Sequence, residues 1–411
     1  EAQGDEMANV IFVAPFFLET TLRFINGAAD LPEVRLGVIS QDPAEKIPPG
    51  LRSKLAAHWR VEDGMNPAQI VGGVHSLAAR MGPPDRLLAA LEHLQVPLAK
   101  VREHLGLSGM TVETARNFRD KSHMKTLFQQ SGVPCARHKL VESSGEARSF
   151  VAECGFPAVV KPNEGAGAKN TYRINDDAQL DQYLAAYPPQ RAPALFEEFM
   201  RGEEHSFDSV WIDGQCVWHS ISRYLPTPLE VMENPWIQWC VLLPRGIQGE
   251  AYEPIRKAAG QAHRTLGVRT ALTHLEWFRR PDGSVAVSEV AARPPGAQFS
   301  TLISYAHDID LYSAWPRLMI FDRFDPPRRR WSVGAAYLRG QGQGRVKGVH
   351  GLEQAQKELG RLVVEVRLPQ LGAPAGGTYE GDGYVILRHA ETGPVEEGLA
   401  RLVQLIQVEL A

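Results

Sequence analysis

Two aspartate–glycine turns place the strongest constraint on this chain. Each stands between runs that alternate apolar and polar residues. "HSFDSVWI" and "QCVWHSISR" flank Asp213-Gly214, and "THLEWFRR" and "SVAVSEVAAR" flank Asp282-Gly283. Residue pairs that tolerate positive φ suit hairpin turns, and a period of two puts one face of each strand on a core. Strands are therefore expected to dominate from Phe156 to Val290, interrupted by the helix "EAYEPIRKAAGQAHRTLG".

The second hairpin also raises an electrostatic conflict. With an even loop centred on Asp282-Gly283, Glu276 lies directly opposite Glu289, with Cβ atoms roughly 5 Å apart. Like charges so placed destabilise a sheet, and a divalent cation between them removes the conflict. Hard carboxylate oxygens that leave room for water and phosphate suit Mg²⁺. Pro281-Asp282-Gly283 equally suits a three-residue loop with a bulge, which offsets the register and sends the glutamates to opposite faces. Both registers stay open. Arg293, four residues after Glu289 in the rigid "SEVAARPPG", is placed to stabilise charge developing on a phosphate or carboxylate, or to neutralise Glu289. A helix starting near Ser300 offers free N–H groups to a substrate carboxylate.

Upstream, "VIFVAPFF" (10–17) and "VRLGVIS" (34–40) read as buried strands. "ETTLRFINGAAD", "NPAQIVGGVHSLAARM" and "PLAKVREHLG" supply helical spacing, so residues 7 to about 110 form a small doubly wound domain. Its first strand–helix turn lacks the glycine fingerprint of dinucleotide binding. "ARNFRDKSHMKTLFQQSGVP" reads as one helix with Met124, Leu127, Phe128 and Ser131 on its buried stripe. Lys121 sits at the edge of that stripe, where snorkelling to water is the default. The terminal helix "PVEEGLARLVQLIQVEL" carries Leu399, Leu402, Val403, Ile406 and Leu410 on one face.

With 411 residues the chain can hold two or three domains, and 44% apolar with 22% charged residues is ordinary globular composition. A net charge of −4 supplies no basic footprint for nucleic acid or an anionic membrane, so any anion must be held locally. No apolar run reaches membrane-spanning length, and the acidic start "EAQGDEM" lacks a signal peptide's layout. Cys135, Cys154, Cys216 and Cys240 show no metal or redox spacing, which fits a reducing cytoplasm.

"AVVKPNEGAGAKNT" (158–171) pairs a strand-like run and Lys161 with a glycine-rich tail that matches neither a Walker loop nor a dinucleotide turn. Its context resolves it. Lys121 precedes Lys161 and its glycine loop, the acidic "LFEEFMRGEE" follows, and a hairpin bearing Glu276 and Glu289 comes last. In this order and spacing the chain resembles the ATP-grasp superfamily over residues 7 to 411. "EVAARPPG" is similar to the amino-acid ligase branch, since Ala291 stands where many members have asparagine.

The resemblance implies an α/β fold, α+β in its centre. It has an N-terminal doubly wound pre-ATP-grasp domain (7–112) and an ATP-grasp domain (113–325) with a lid at about 137–200. A C-terminal biotin-carboxylase-like domain (326–411) completes it. It implies ATP contacts from Lys121, Lys161, Gly165, Gly167, Glu197, Glu198, Phe199, Met200, Glu204 and Phe278, with Glu204 on the ribose and the lysines on phosphates. Glu276 and Glu289 would hold Mg²⁺ as two ions, with Mn²⁺ an alternative. Arg293 would act in catalysis, and His274, Arg293 and Gly296 would meet substrate. His274 also reads as a satisfied structural histidine, and the role of Lys169 stays undecided.

The activity implied is ATP-dependent joining of a small-molecule carboxylate and an amine through an acyl phosphate. No nucleic-acid or membrane partner is expected, and a homodimer stays open. The segment Ser222–Trp239, with Tyr224, Trp236 and Trp239, either lines the acceptor pocket or is core. Two alternatives remain: a bicarbonate-activating carboxylase-like enzyme, and a catalytically silent ATP-binding regulatory protein.

Overall fold

The computed structural model describes residues 7–165, 170–234, 237–341 and 343–411. Gly167, Lys169 and Trp236 lie outside the described residues.

The N-terminal region is a four-stranded parallel sheet. Ala8–Val13 lies between Val34–Ser40 and Arg86–Leu88, and Ala57–Arg60 forms the edge beyond Val34–Ser40. The first strand stops at Val13, short of the expected Phe17. The Ala14 amide donates to the Ile39 carbonyl, but Pro15 has no N–H to donate in turn and only its carbonyl accepts, from Gln41 and Asp42. Helices Glu19–Ala29, Pro67–Met81 and Gln95–Leu105 cover the sheet. Asn66 caps the second by accepting from the Ala68 amide, and Gly106 ends the third in the left-handed conformation.

The stretch expected to be one helix is two, Val112–Asn117 and Lys121–Gln130. Asp120 starts the second by accepting from the His123 amide at 2.9 Å, so a capping aspartate breaks the apparent periodicity. The buried face holds Lys121, Met124, Lys125 and Phe128, while Ser131 is exposed.

Four antiparallel strands follow in the spatial order His138–Val141, Ala194–Glu198, Ala158–Pro162, Tyr172–Ile174. This small sheet carries Lys161 and Glu197 on adjacent strands, and its own core includes Val160, Phe150 and Phe196.

The largest sheet has eight strands. Val285–Ala291, Ala271–Arg279, Glu203–Ile212, Gln215–Leu225 and Cys240–Leu243 run in that order, then Ser332–Leu338, Gly383–His389 and Val363–Arg367. Asp213 and Gly214 both have positive φ and close the expected two-residue hairpin. Alternation assigns the two faces here. Phe207, Trp211, Leu275 and Trp277 pack against Ile255, Ala259 and neighbours of the Glu253–Leu266 helix. The intervening residues Glu204, Ser206, Asp208, His274 and Glu276 therefore face the other way.

Pairing of Cys240–Leu243 with Ser332–Leu338 makes the sheet continuous across residue 325. The terminal helix spans Thr392–Leu405 and not the whole expected run. Ile406 turns the chain out, and Gln407–Leu410 becomes a strand paired with Val346–His350. Leu410 thus belongs to a strand, because a partner strand was within reach. Among the described residues, no helix is long and apolar enough to cross a membrane.

Candidate functional site

The second hairpin combines both registers that its sequence allows. Near the turn Arg279 faces Val285 and Trp277 faces Val287, with Gly283 at φ +82°, as a three-residue loop requires. A bulge at Ser288 then inserts one extra residue, and Glu276 comes directly opposite Glu289. The two irregularities cancel, so the carboxylates share a face.

That face is one wall of a cavity of about 860 Å³, a size typical of small-molecule sites. Lys121 and Lys161 stand at its carboxylates: their Nζ atoms lie 3.2 and 3.9 Å from Oε2 of Glu289. Lys121 is buried instead of snorkelling, and its Nζ also donates to the Gly165 carbonyl at 3.0 Å. The glycine loop is clasped to this helix as well. Asn163 accepts from the Ser122 amide and donates to Asp120, each within 2.9 Å.

Glu197, expected beside the adenine, lines the cavity but turns its carboxylate inward, 3.0 Å from Lys161 Nζ and 3.2 Å from Lys125 Nζ. Burial would raise its pKa, but the two lysines outweigh that and hold it below the usual carboxylate range. Burial likewise opposes the charge on Lys161, and Glu197 with Glu289 keeps its pKa above the ordinary lysine value. For Glu289 burial again works against ionisation, yet Lys121 and Lys161 bring it down to about 2. Lys125 has no counterpart among the expected site residues. In sequence it reads only as a polar helix position, four residues after Lys121.

Glu204 shows the reverse. Burial, then the nearby Glu276 and Glu289, push its carboxyl well above the usual range, which marks a local excess of negative charge. His274 sits in the same patch, with Nδ1 2.7 Å from Asp208 Oδ1 and Nε2 3.7 Å from Glu276 Oε1. Burial would lower its pKa, but Asp208 and then Glu276 raise it to about 9. His274 is both satisfied and cavity-lining. Tyr224 donates to Glu276 at 3.2 Å and packs edge-on to Trp239, so these aromatics are buried and line the cavity together.

Arg293 reaches the N-terminal region instead of Glu289. Its Nε lies 2.5 Å from Glu92 Oε2, and its guanidinium also donates to the Pro294 carbonyl. Burial would lower its pKa, and Glu92 keeps it raised. Arg119 contacts the same Glu92 and donates to the Gly165 carbonyl. Both arginine contacts bring the first sheet's 92–93 turn to the cavity, a role that nothing in the local sequence signals. Glu198 pairs outward with Arg137, Arg173 lies over the Phe199 ring, and Met200, Phe278 and Gly296 line the cavity. Tyr379, from the 368–382 connection, closes the cavity beside Trp239.

Among the described residues, no three His, Cys, Asp or Glu side chains gather closely enough to hold a metal alone. Two opposed carboxylates still suit Mg²⁺, which is commonly held by one or two carboxylates with water and phosphate completing its shell.

Residues 126–306 match the family model of the ATP-grasp domain. An L-arginine-specific L-amino acid ligase from Bacillus subtilis is 26% identical over 66% of this chain and 66% of its own length. An alanine–anticapsin ligase from B. subtilis strain 168 is 26% identical over 62% of this chain and 58% of its own length. The chain thus covers less than two thirds of either relative. In three dimensions, an L-amino acid ligase from Bacillus licheniformis superposes with a TM-score of 0.78 at 18% identity, over 99% of both chains. That likeness extends the shared fold from the first parallel sheet to the terminal strand. Residues 126–306, which hold Lys161 and the opposed glutamates and begin just after Lys121, are thus similar to the ATP-grasp domain.

Proposed function

We propose that this protein is an ATP-dependent carboxylate–amine ligase that forms an amide bond through an acyl phosphate, on amino-acid-like substrates. The observation that carries the reading is the convergence of Lys121, Lys161 and the opposed pair Glu276/Glu289 on one cavity. Its resemblance to two amino-acid ligases supports the substrate class.

Cations fixed around a polyanion stabilise a transferring phosphoryl group without being consumed. Lys161, on the strand bearing the glycine loop, and Lys121, on the helix it is clasped to, would contact ATP phosphates. Gly165 would belong to the lid over them, and Glu198 to Met200 with Phe278 would flank the base. Glu204 is held ready to donate or accept at the ribose hydroxyls. A substrate carboxylate oxygen attacks the γ-phosphorus as the bond to ADP breaks. The amine nitrogen then attacks the acyl carbon, phosphate departs, and the nitrogen gives up a proton. Arg293, held by Glu92, would orient the reacting carboxylate, with His274 and Gly296 beside the substrate. Magnesium ions held by Glu276 and Glu289 would neutralise phosphate oxygens when bound. The division at 7–112, 113–325 and 326–411 is proposed on the same footing.

Phosphate release, screened over amino acids singly and in pairs with ATP and magnesium, tests the reading. Turnover that requires a carboxylate with an amine supports it, and turnover that requires bicarbonate instead defeats it. Glu276→Ala and Glu289→Ala should each abolish turnover; full activity in both would remove the metal assignment.

A further inference from the structure

One turn beyond Lys121 the same helix carries Lys125, which is 0% exposed. A buried ammonium needs both charge and hydrogen-bond compensation. Its Nζ donates to the Ser288 carbonyl at 2.7 Å and lies 3.2 Å from Glu197 Oε1. These partners belong to different sheets. Glu197 lies one residue before the end of a strand of the small sheet that bears Lys161, and Ser288 is the bulged residue that brings Glu289 opposite Glu276.

Glu197 has two lysines with unequal freedom. Lys161, 3.0 Å from Glu197 Oε2, lines the cavity, whereas Lys125 does not. Oε1 of Glu197 is buried and makes no hydrogen bond of good geometry among the described residues, so the Lys125 charge is what compensates it. A phosphate in the cavity competes with Glu197 for Lys161. Were Lys161 the sole counter-ion, drawing it away would strand a buried carboxylate, and the carboxylate would keep it.

We infer that Lys125 is a positioning residue: as standing counter-ion of Glu197 it frees Lys161 for a bound phosphate, and it fastens the Lys161 sheet to the Ser288 bulge. The inference rests on the nucleotide-site reading above.

The test is calorimetric binding of the non-hydrolysable analogue AMP-PNP with magnesium to the full chain. Lys125→Gln removes the charge and leaves a neutral amide donor, one atom shorter in reach, on the side of the Ser288 carbonyl. It should weaken binding about tenfold or more, and adding Glu197→Gln should recover most of that loss, because a neutral amide no longer retains Lys161. Rescue by a second lesion is not expected of a residue that merely supports the fold. Lys125→Arg should bind within about threefold of wild type. Unchanged binding in Lys125→Gln, or a double variant no tighter than the single one, overturns the role of Lys125 alone. Should Lys125→Gln fail to fold, a tenfold loss in Lys125→Arg overturns it. Wild type that binds no nucleotide overturns the underlying reading and this one with it.

Discussion

Glu289 and His274 sit in one polar patch, yet their environments move them in opposite directions. The Glu289 carboxyl ionises near 2, below its ordinary 4.5, because Lys121 and Lys161 overcome the effect of burial. A depressed carboxylate stabilises the fold above its unfolded pKa, and that contribution disappears as pH falls from about 4.5 to about 2. Wild type should therefore lose its advantage over Glu289→Gln across that window in urea unfolding. His274 is raised to about 9, so its contribution is complete below about 6.5 and is lost as pH climbs towards 9. The gap between wild type and His274→Asn should close over that alkaline range, and a constant gap would contradict the ion pair with Asp208. Lys125 teaches a related lesson. Nothing local distinguishes it from a solvated helix lysine, and only the carboxylate and carbonyl brought from two sheets make it buried.

At the level of elements, short-range chemistry accounts for most of the boundaries. Asp213-Gly214 made its hairpin as expected, whereas the Pro281–Gly283 loop needed a bulge at Ser288 to recover the glutamate pairing. A turn signal specifies the loop, but a bulge answers to what packs beyond it, here the Lys125 ammonium on the Ser288 carbonyl. Asp120 was legible as a cap only in hindsight, since it interrupts a helical period without a glycine or proline. Asp120→Ala removes acceptors for the His123 amide and for Asn163. It should cost about 1 kcal/mol in denaturant unfolding and weaken nucleotide binding through Lys121. Gly202, between the small sheet and the Glu203–Ile212 strand, has φ +145°, and a Cβ there would lie 2.2 Å from the Arg279 carbonyl oxygen. Gly202→Ala should destabilise by about 1–3 kcal/mol or more, read as a lowered denaturant midpoint.

Across the whole molecule, the first parallel sheet is joined to the rest by close packing. Gly27 approaches the Leu311–Phe321 helix so nearly that a Cβ would meet the Tyr312 carbonyl oxygen at 2.1 Å. Phe24 packs on Tyr312 and Trp315 beside it. Gly27→Val should separate these surfaces and split the calorimetric unfolding into two transitions, while a single transition at the wild-type temperature would refute this junction. The Arg293–Glu92 pair crosses the same divide, so loosening the first sheet should also lower turnover.

Much of the fold class was readable from the chain alone, because periodicity, proline, glycine and capping residues act over a few positions. The order of Lys121, Lys161 and the two glutamates was also enough to indicate the superfamily. What the linear order could not carry was which charges face which. Lys125 with Glu197, Arg293 with Glu92, and the bulge that aligns Glu276 with Glu289 join residues far apart in sequence. Those pairings depend on burial and on sheet-to-sheet contact, which exist only once the chain has folded.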